Sequence, residues 1–511
     1  MRLIPTTRGG ALWRFFFGAV IVIGASAATT AVAGLLQFKQ LTVDLSVTPA
    51  IAHANVKLPN PGQPQTILII GSDHRAGTPF NSANTDTMML VRLNGSSSTI
   101  NVVSVPRDLE VDVPGEGTAK LNSAYSVGGP NLLVQVLEQQ VFPGLRANPI
   151  NHIIDVNFGG FEDLVNAIGC VYSDVDHRYY NNTELTDYSS INIQPGYQKL
   201  CGSQALQFVR FRHTDTDIVR NARQQDFIRW AKDQYGISNL LANRDKLLRI
   251  FGAHTETDHS LHTVDGLINL FNLVAFSDGH TIKSVPFPAI LQNCVAAAPG
   301  APQPPCYVTA DQGAEQQAFT AFMKPTPPPA AKASTSSSTA SAHKRLSSIP
   351  TAGLTVDLPD GRSQAAQLSK VKMPIYFPRL IKTGSSYCLG LIGNCPLEIA
   401  SPGSYPRGYV IRDRQGVPHA AYRMTLQINP NLGQYYGVQG TTWQDPPLLA
   451  SPTEIRTVAG KRLEVFASGG KVTTVAWHTP HGVYWISNTL TTNISNQQMI
   501  GIAASLMRAG G

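Results

Sequence analysis

Apolar and polar positions alternate in two rhythms through the N-terminal half of the chain. Thr66–Ile70 is an apolar, β-branched run closed by Gly71-Ser72-Asp73, which predicts a buried strand with polar residues emerging at its C-terminal end. Thr87–Leu93 and Thr99–Val105 repeat that pattern, ending near Asn94 and at Pro106-Arg107-Asp108. Pro130, after Gly128-Gly129, predicts a helix over Asn131–Gln140, since proline suits the first helical position. Ile150–Val156 reads as a further strand, Phe161–Ile168 as a short helix stopped by Gly169. Gln204–Arg212 is apolar and aromatic up to Arg-Phe-Arg, and as a strand it would turn Arg210 and Arg212 to one face. Ala222, Phe227, Trp230 and Ala231 mark Asn221–Tyr235 as helical. Strands alternating with helices predict an α/β sheet covered on both faces, with its site at the strand ends.

The rhythm breaks at Lys324–Pro350, a Pro, Ala and Ser linker that can bury no core. Beyond it the pattern is β-rich. Gly408–Arg412, Arg462–Phe466, Val472–Trp477 and Gly482–Ile486 are short strands, followed by a closing helix over Ser495–Arg508 and without a dense polar constellation. The expected organisation is a cytoplasmic N-terminus (1–14), a transmembrane anchor (15–38), a stalk (39–65), an α/β catalytic domain (66–323), the linker (324–350) and a C-terminal α+β domain (351–511).

Composition narrows the class. Of 511 residues 42% are apolar and 14% charged, which suits a globular chain and excludes a polytopic membrane protein. The net charge of +7 favours an anionic lipid or phosphate partner and is too small to argue for nucleic acid. Arg2, Arg8 and Arg14 precede an uncharged run from Phe15 to Phe38 that Lys39 closes. As a helix that run reaches about 36 Å, against about 30 Å of hydrocarbon. The basic flank keeps the N-terminus inside and the catalytic domain outside, in a single-pass protein of the cell membrane. Ala25-Ser26-Ala27 imitates a signal-peptide cleavage site, but the uncharged run continues well past it, so the uncleaved anchor is preferred. Both readings export the chain. The six cysteines agree, falling into close pairs (Cys170 with Cys201, Cys294 with Cys306, Cys388 with Cys395) that read as three disulfides.

No Walker A loop, G-x-S-x-G, H-E-x-x-H or C-x-x-C motif is present. What stands out is a scatter of Asp and Arg within Asp73–Gln225. Asp73 and Arg75 come first, then Asp86, Arg107, Asp108 and Lys120, and last Arg210, Arg212, Asp217, Arg220, Arg223 and Gln224. Piece by piece these read as surface ion pairs or helix caps. Together they fit phosphate chemistry: guanidinium groups bind phosphate oxygens in bidentate fashion, and two carboxylates can hold Mg²⁺ or another divalent cation beside a pyrophosphate.

The blocks IGSDHR (70–75), TDTMMLVRL (85–93), SVPRDLEVDVPG (104–115), KLNSAYSVGGP (120–130), VNFGGFEDLVNAIGCV (156–171) and ALQFVRFRHTDTDIVRNARQQDF (205–227) resemble, in order, the LytR–CpsA–Psr (LCP) family. The resemblance implies a central sheet sandwiched by helices and a long apolar groove for a polyprenyl tail. It also implies a membrane-anchored phosphotransferase that moves a glycopolymer from a polyprenyl-pyrophosphate carrier to peptidoglycan, leaving a phosphodiester link. By position it implies Asp73 and Asp86 as Mg²⁺ ligands and Arg107, Arg210 and Arg212 as pyrophosphate-binding arginines. It further implies that Asp217, Arg220 and Gln224 complete the pocket, with Arg75, Lys120 and Asp108 near the phosphates. Asp108 and Asp217 are both candidates for the general base. Asn84 stands where many members carry an arginine, which implies either weaker pyrophosphate binding in this chain or recruitment of Arg75 or Arg92 instead.

The Ala- and Pro-rich composition and the appended domain point to an actinobacterial source and to arabinogalactan as the glycan. Competing readings are a polyprenyl-pyrophosphate hydrolase, a non-catalytic lipid-carrier or wall-binding protein, and a transcriptional attenuator. The last has no room for a DNA-binding fold ahead of the anchor.

Overall fold

A computed structural model gives the fold. It describes residues 50–510 apart from 52–55, 58, 61, 75–77, 183–189, 213–215, 236–243, 278, 293–306, 328–343, 390–394 and 396–402. The expected anchor at 15–38 and the Cys294–Cys306 pair lie outside the described residues, and among those described no helix is long and apolar enough to cross a membrane.

Six strands build the central sheet: β1 (Gln65–Ser72), β2 (Thr85–Leu93), β3 (Thr99–Ser104), β4 (His152–Asn157), β5 (Thr255–Thr257) and β6 (Thr281–Ser284). Their order is β5-β4-β1-β2-β3-β6. The sheet is mixed, since β1 pairs parallel with β4 and β3 with β6, while β1/β2, β2/β3 and β4/β5 are antiparallel. Among the described residues the α-helices are α1 (Leu121–Val136), α2 (Phe158–Ala167), α3 (Gly202–Arg210), α4 (Asp217–Gln234), α5 (Arg244–His254), α6 (Val264–Phe276), α7 (Gln312–Met323), α8 (Leu358–Gln367) and α9 (Asn496–Ala504).

Strand alternation sorts the apolar side chains to two faces. Leu68, Ile70, Met88, Leu90 and Val103 are buried with Leu121, Ala124 and Leu133 of α1 and Phe319 and Phe322 of α7. Ile67 and Leu93 pack on the other face against Leu273 of α6. Each such side chain contributes about 1.5–3 kcal/mol on burial, which is why β1 is apolar at every position from Ile67 to Ile70. The helix expected over Asn131–Gln140 begins earlier, at Leu121, and breaks at Gly128-Gly129 before Pro130 restarts it. Gly129 has φ +64°, and a Cβ there would lie 2.9 Å from the Phe80 ring.

Three sequence expectations are corrected. Gln204–Arg212 is not a strand: Gly202–Arg210 is α3, and the chain turns extended at Phe211. The later part of the stalk is packed on the domain, with Ile51 buried and its N–H on the Thr257 carbonyl at 2.9 Å. The closing helix ends at Ala504, because Leu506–Arg508 leaves it to pair with Tyr376–Pro378.

The C-terminal half carries a nine-stranded sheet centred on Pro418–Asn429, Gln434–Thr441, Gly482–Ser487, Lys471–Thr479 and Lys461–Ser468. It is not a detached appendage. A hairpin of the α/β domain, Val171–Val175 with Gly196–Leu200, is stapled at its base by the Cys170–Cys201 disulfide. Its Tyr172 and Tyr197 share one buried cluster with Ile411, Val483 and Trp485 of the C-terminal sheet. The Cys388–Cys395 disulfide also forms.

Candidate active site

The strand ends and two helix ends converge on a cleft of about 990 Å³. Asp86 enters from the start of β2, on the same side as Met88 and Leu90. Arg107 and Asp108 sit in the turn after β3. That turn is pinned from two sides: Asp217 Oδ2 accepts the Arg107 backbone N–H at 2.9 Å, and the Arg107 carbonyl accepts the Asn122 N–H at 3.1 Å. The hairpin Glu110–Val113/Gly117–Lys120 pairs Glu110 with Lys120 and so returns Lys120 to Asp108, Nζ to Oδ1 3.0 Å. Arg210 is the last residue of α3, and the turn at Phe211 lets Arg212 face the same cleft. Thr216 caps α4, accepting the Val219 N–H, so that Asp217 and Arg220 occupy its first turn.

The charges form two knots. Both Asp86 oxygens are held: Oδ1 by Arg107, with Arg220 Nη1 at 3.9 Å, and Oδ2 by Arg210 Nε at 2.8 Å. Burial alone would raise the Asp86 carboxyl, but Arg220, Arg210 and Arg107 outweigh it and hold it below the usual carboxylate range. Asp108 takes Arg212 Nη2 at 2.7 Å on one oxygen and Lys120 on the other. The Arg210 guanidinium also lies 3.7 Å over the Phe158 ring at the start of α2. Arg220 is 1% exposed and pairs with Asp217. Burial draws its guanidinium below the ordinary value and Asp217 opposes the shift.

Arg107, Arg210, Arg212, Arg220 and Lys120 thus line one cleft with Asp73, Asp86 and Asp108. Asp217 and Gln224 stand behind it. Asp217 is spent on Arg107 and Arg220, and Gln224 donates from Nε2 to the Val209 carbonyl at 3.1 Å, so it positions the end of α3 rather than completing the pocket. Arg75 lies outside the described residues. Asn84 exchanges two hydrogen bonds with Asp73, its N–H to Asp73 Oδ1 at 2.6 Å and its carbonyl from the Asp73 N–H at 3.1 Å. Arg92 cannot replace the missing arginine. It bonds Thr66 Oγ1 at 2.7 Å from the far end of β2, six residues and roughly 20 Å along the strand from Asp86.

Asp73 and Asp86 share the cleft, and among the described residues no cluster of three His, Cys, Asp or Glu side chains joins them. Both Asp86 oxygens are engaged by arginines and Asp73 Oδ1 by the Asn84 N–H, so a hard divalent cation here would have to displace those partners and draw its remaining ligands from phosphate oxygens and water. Apart from Ile191, Leu206 and Phe211 the cleft lining is polar or charged, so the long apolar groove implied by the resemblance is not this cleft. Sequence reasoning missed Phe158, which appears as an ordinary helix-start aromatic; its one signal is the block VNFGGF itself.

Comparison with known proteins gives a match of residues 35–295 to the LytR_cpsA_psr family. A polyisoprenyl-teichoic acid--peptidoglycan teichoic acid transferase TagU of Oceanobacillus iheyensis is 31% identical over 235 residues, 43% of this chain and 69% of that protein. The probable cell wall biosynthesis protein LcpB of Corynebacterium glutamicum is 33% identical over 196 residues, 36% of this chain and 43% of that one. This chain therefore spans between 43% and 69% of the length of these two relatives. A solved structure described as LytR-CPS2A-psr family protein YwtF (TagT) with bound octaprenyl pyrophosphate lipid aligns at 21% identity and TM-score 0.37, over 53% of this chain and 97% of that one.

Proposed function

This chain belongs to the LytR_cpsA_psr family, and on that premise we propose that it is a phosphotransferase moving a glycopolymer from a polyprenyl-pyrophosphate carrier to peptidoglycan. The observation that carries the reading is the cleft itself, where Arg107, Arg210, Arg212, Arg220 and Lys120 are neutralised by carboxylates that a diphosphate can replace. The relative from Oceanobacillus iheyensis, named a polyisoprenyl-teichoic acid--peptidoglycan transferase, supports the same donor and acceptor classes.

In the proposed reaction a peptidoglycan hydroxyl oxygen attacks the phosphorus next to the glycan. A P–O bond forms there, and the bond from that phosphorus to the bridging oxygen breaks. Polyprenyl phosphate leaves with the electron pair, its charge balanced by the arginines. The hydroxyl proton passes to a carboxylate. Asp108 suits this role better than Asp217, because Asp108 lines the cleft whereas Asp217 is committed to the Arg107 N–H and to Arg220. Mg²⁺, which we propose Asp73 and Asp86 would hold, supplies further charge neutralisation at the phosphates.

We extend the proposal to arabinogalactan as the glycan, on the composition and the appended domain. We also propose a membrane-anchored protein with its catalytic domain outside the cytoplasm. The formed Cys170–Cys201 and Cys388–Cys395 disulfides support an oxidising compartment.

The test is Arg212→Ala. Arg212 is a third exposed and, among the described residues, its ion pair in the cleft is with Asp108, so the variant should fold with a stability loss of about 1 kcal/mol or less. Transfer of glycan from a polyprenyl-pyrophosphate donor to peptidoglycan should disappear. Retained transfer in the folded variant overturns the assignment, and release of free glycan phosphate without a phosphodiester-linked product identifies a hydrolase instead.

A further inference from the structure

We propose that the C-terminal sheet is a working part of the site: through Arg423 and Thr425 it positions the Arg210-Phe211-Arg212 segment that faces the cleft. The proposal rests on the phosphotransferase reading for its consequence, but its geometry stands on its own.

Arg423, 1% exposed, reaches out of the C-terminal sheet into the α/β domain. Its Nη1 donates to Asp174 Oδ1 at 2.7 Å, and the other oxygen of Asp174 accepts from Trp485 Nε1 at 3.1 Å. Both groups of the ion pair are buried, so separation of the two halves would leave a charge without its partner on each side. A loosely tethered domain would not be built this way. Two more bonds grip the next part of the chain, since the Asp176 carbonyl accepts from Thr425 Oγ1 at 3.2 Å and from Arg423 Nη2 at 3.4 Å.

From Asp176 the contacts run without a gap to the site. Asp176 Oδ1 accepts from the Tyr179 hydroxyl at 2.5 Å. The Tyr179 ring lies 4.6 Å from the Arg223 guanidinium and packs edge-on against Phe211, centroids 5.0 Å apart. Arg223 Nη2 then donates to the Phe211 carbonyl at 2.6 Å. Phe211 separates the two arginines that hold Asp86 and Asp108. Its carbonyl position sets where both guanidinium groups enter the cleft. The turn at Phe211 lies outside helix and strand; its N–H still bonds the Gln207 carbonyl at 3.0 Å, and these side-chain bonds hold its carbonyl side.

The experiment uses the full chain. The double variant Asp174→Asn with Arg423→Met removes both charges together, so no lone buried charge remains, and Thr425→Val removes one hydroxyl with little change of shape. Cleavage of geranylgeranyl pyrophosphate with Mg²⁺ and hydrogen exchange at 207–212 are measured alongside thermal melting. The expected result is faster exchange at 207–212, with exchange along β2 unchanged, and a loss of roughly 10–100-fold in kcat/KM from misplaced arginines. Thr425→Val should show the same pattern more weakly, and Arg423→Lys in the otherwise native chain should recover part of the loss. Unchanged exchange at 207–212 in a folded variant overturns the proposal. If the double variant does not fold, Thr425→Val decides by the same two readouts. If the native chain cleaves nothing, the phosphotransferase reading fails and the exchange arm still judges the positioning.

Discussion

Replacing Asp86 with asparagine should make the protein bind pyrophosphate more tightly while abolishing its turnover. Asp86 is 7% exposed and is the counter-ion of Arg107, Arg210 and Arg220. Removing one partner of a fully buried ion pair costs about 3–5 kcal/mol. Here Arg107 and Arg210 keep 24% and 41% of their side chains exposed, so screening reduces the loss to about 1–2 kcal/mol. Binding moves the other way. A diphosphate entering the native cleft must displace the carboxylate from charge-assisted hydrogen bonds worth about 1.5–3 kcal/mol each. In Asp86→Asn that competitor is neutral, and one such bond relieved is a gain of about tenfold or more in affinity. Calorimetric titration of inorganic pyrophosphate in EDTA measures this directly, beside a thermal melt and a turnover assay with Mg²⁺. Turnover should fall by roughly 100-fold or more, because the arginines lose the counter-ion that aligns them for the transition state and one of the two proposed Mg²⁺ ligands is removed. Unchanged or weaker pyrophosphate binding by a folded variant would refute the competition on which the reasoning rests.

Other consequences follow from the same geometry. Cys170→Ser with Cys201→Ser opens a loop with a sequence separation of 31, which should lower stability by about 3–4 kcal/mol in denaturant titration; a loss below about 1 kcal/mol would mean that the hairpin is held by the C-terminal sheet alone. Glu315 on α7 is pushed up to about 7, first by burial and then by Asp311. Its folded-state pKa is raised, so stability is lost as pH climbs from the ordinary glutamate value to about 7. Glu315→Gln should therefore melt higher than the native chain near about pH 8 and equally near about pH 4, and a pH-independent difference would contradict the shift. Phe158→Ala withdraws the ring beneath Arg210. It should weaken pyrophosphate binding by about 0.5–2 kcal/mol, whereas unchanged affinity would leave the ring a purely structural role.

The central strands and the Asp and Arg residues of the cleft were legible because each depends on short stretches of chain. β1 is a continuous apolar run because both its faces are covered, and the Asp and Arg residues crowd the ends of such runs. Close cysteine spacing likewise announced Cys170–Cys201 and Cys388–Cys395. Other features were decided only when distant segments met. Arg-Phe-Arg looked like the end of a strand, but α3 packs on α2 and α4 and the chain turns at Phe211, so tertiary contacts overrode the local pattern. Gln224 shares a helix with Arg220 yet turns to the Val209 carbonyl instead of the cleft. Arg220 on α4 approaches Asp86, whereas Arg92, on the same strand as Asp86, is turned to Thr66.

Asp174 and Arg423 are 249 positions apart, and each reads locally as a charged residue in a half-exposed strand. A linear pattern reports which face of an element is apolar, but burial of a charge depends on the partner that arrives from elsewhere. The sequence by itself therefore determined the central strands, two of the cysteine pairs and the residue types that gather at the cleft. Only the tertiary structure decided which arginines share Asp86, which groups support them from behind, and that the C-terminal sheet is joined to the site through a buried ion pair.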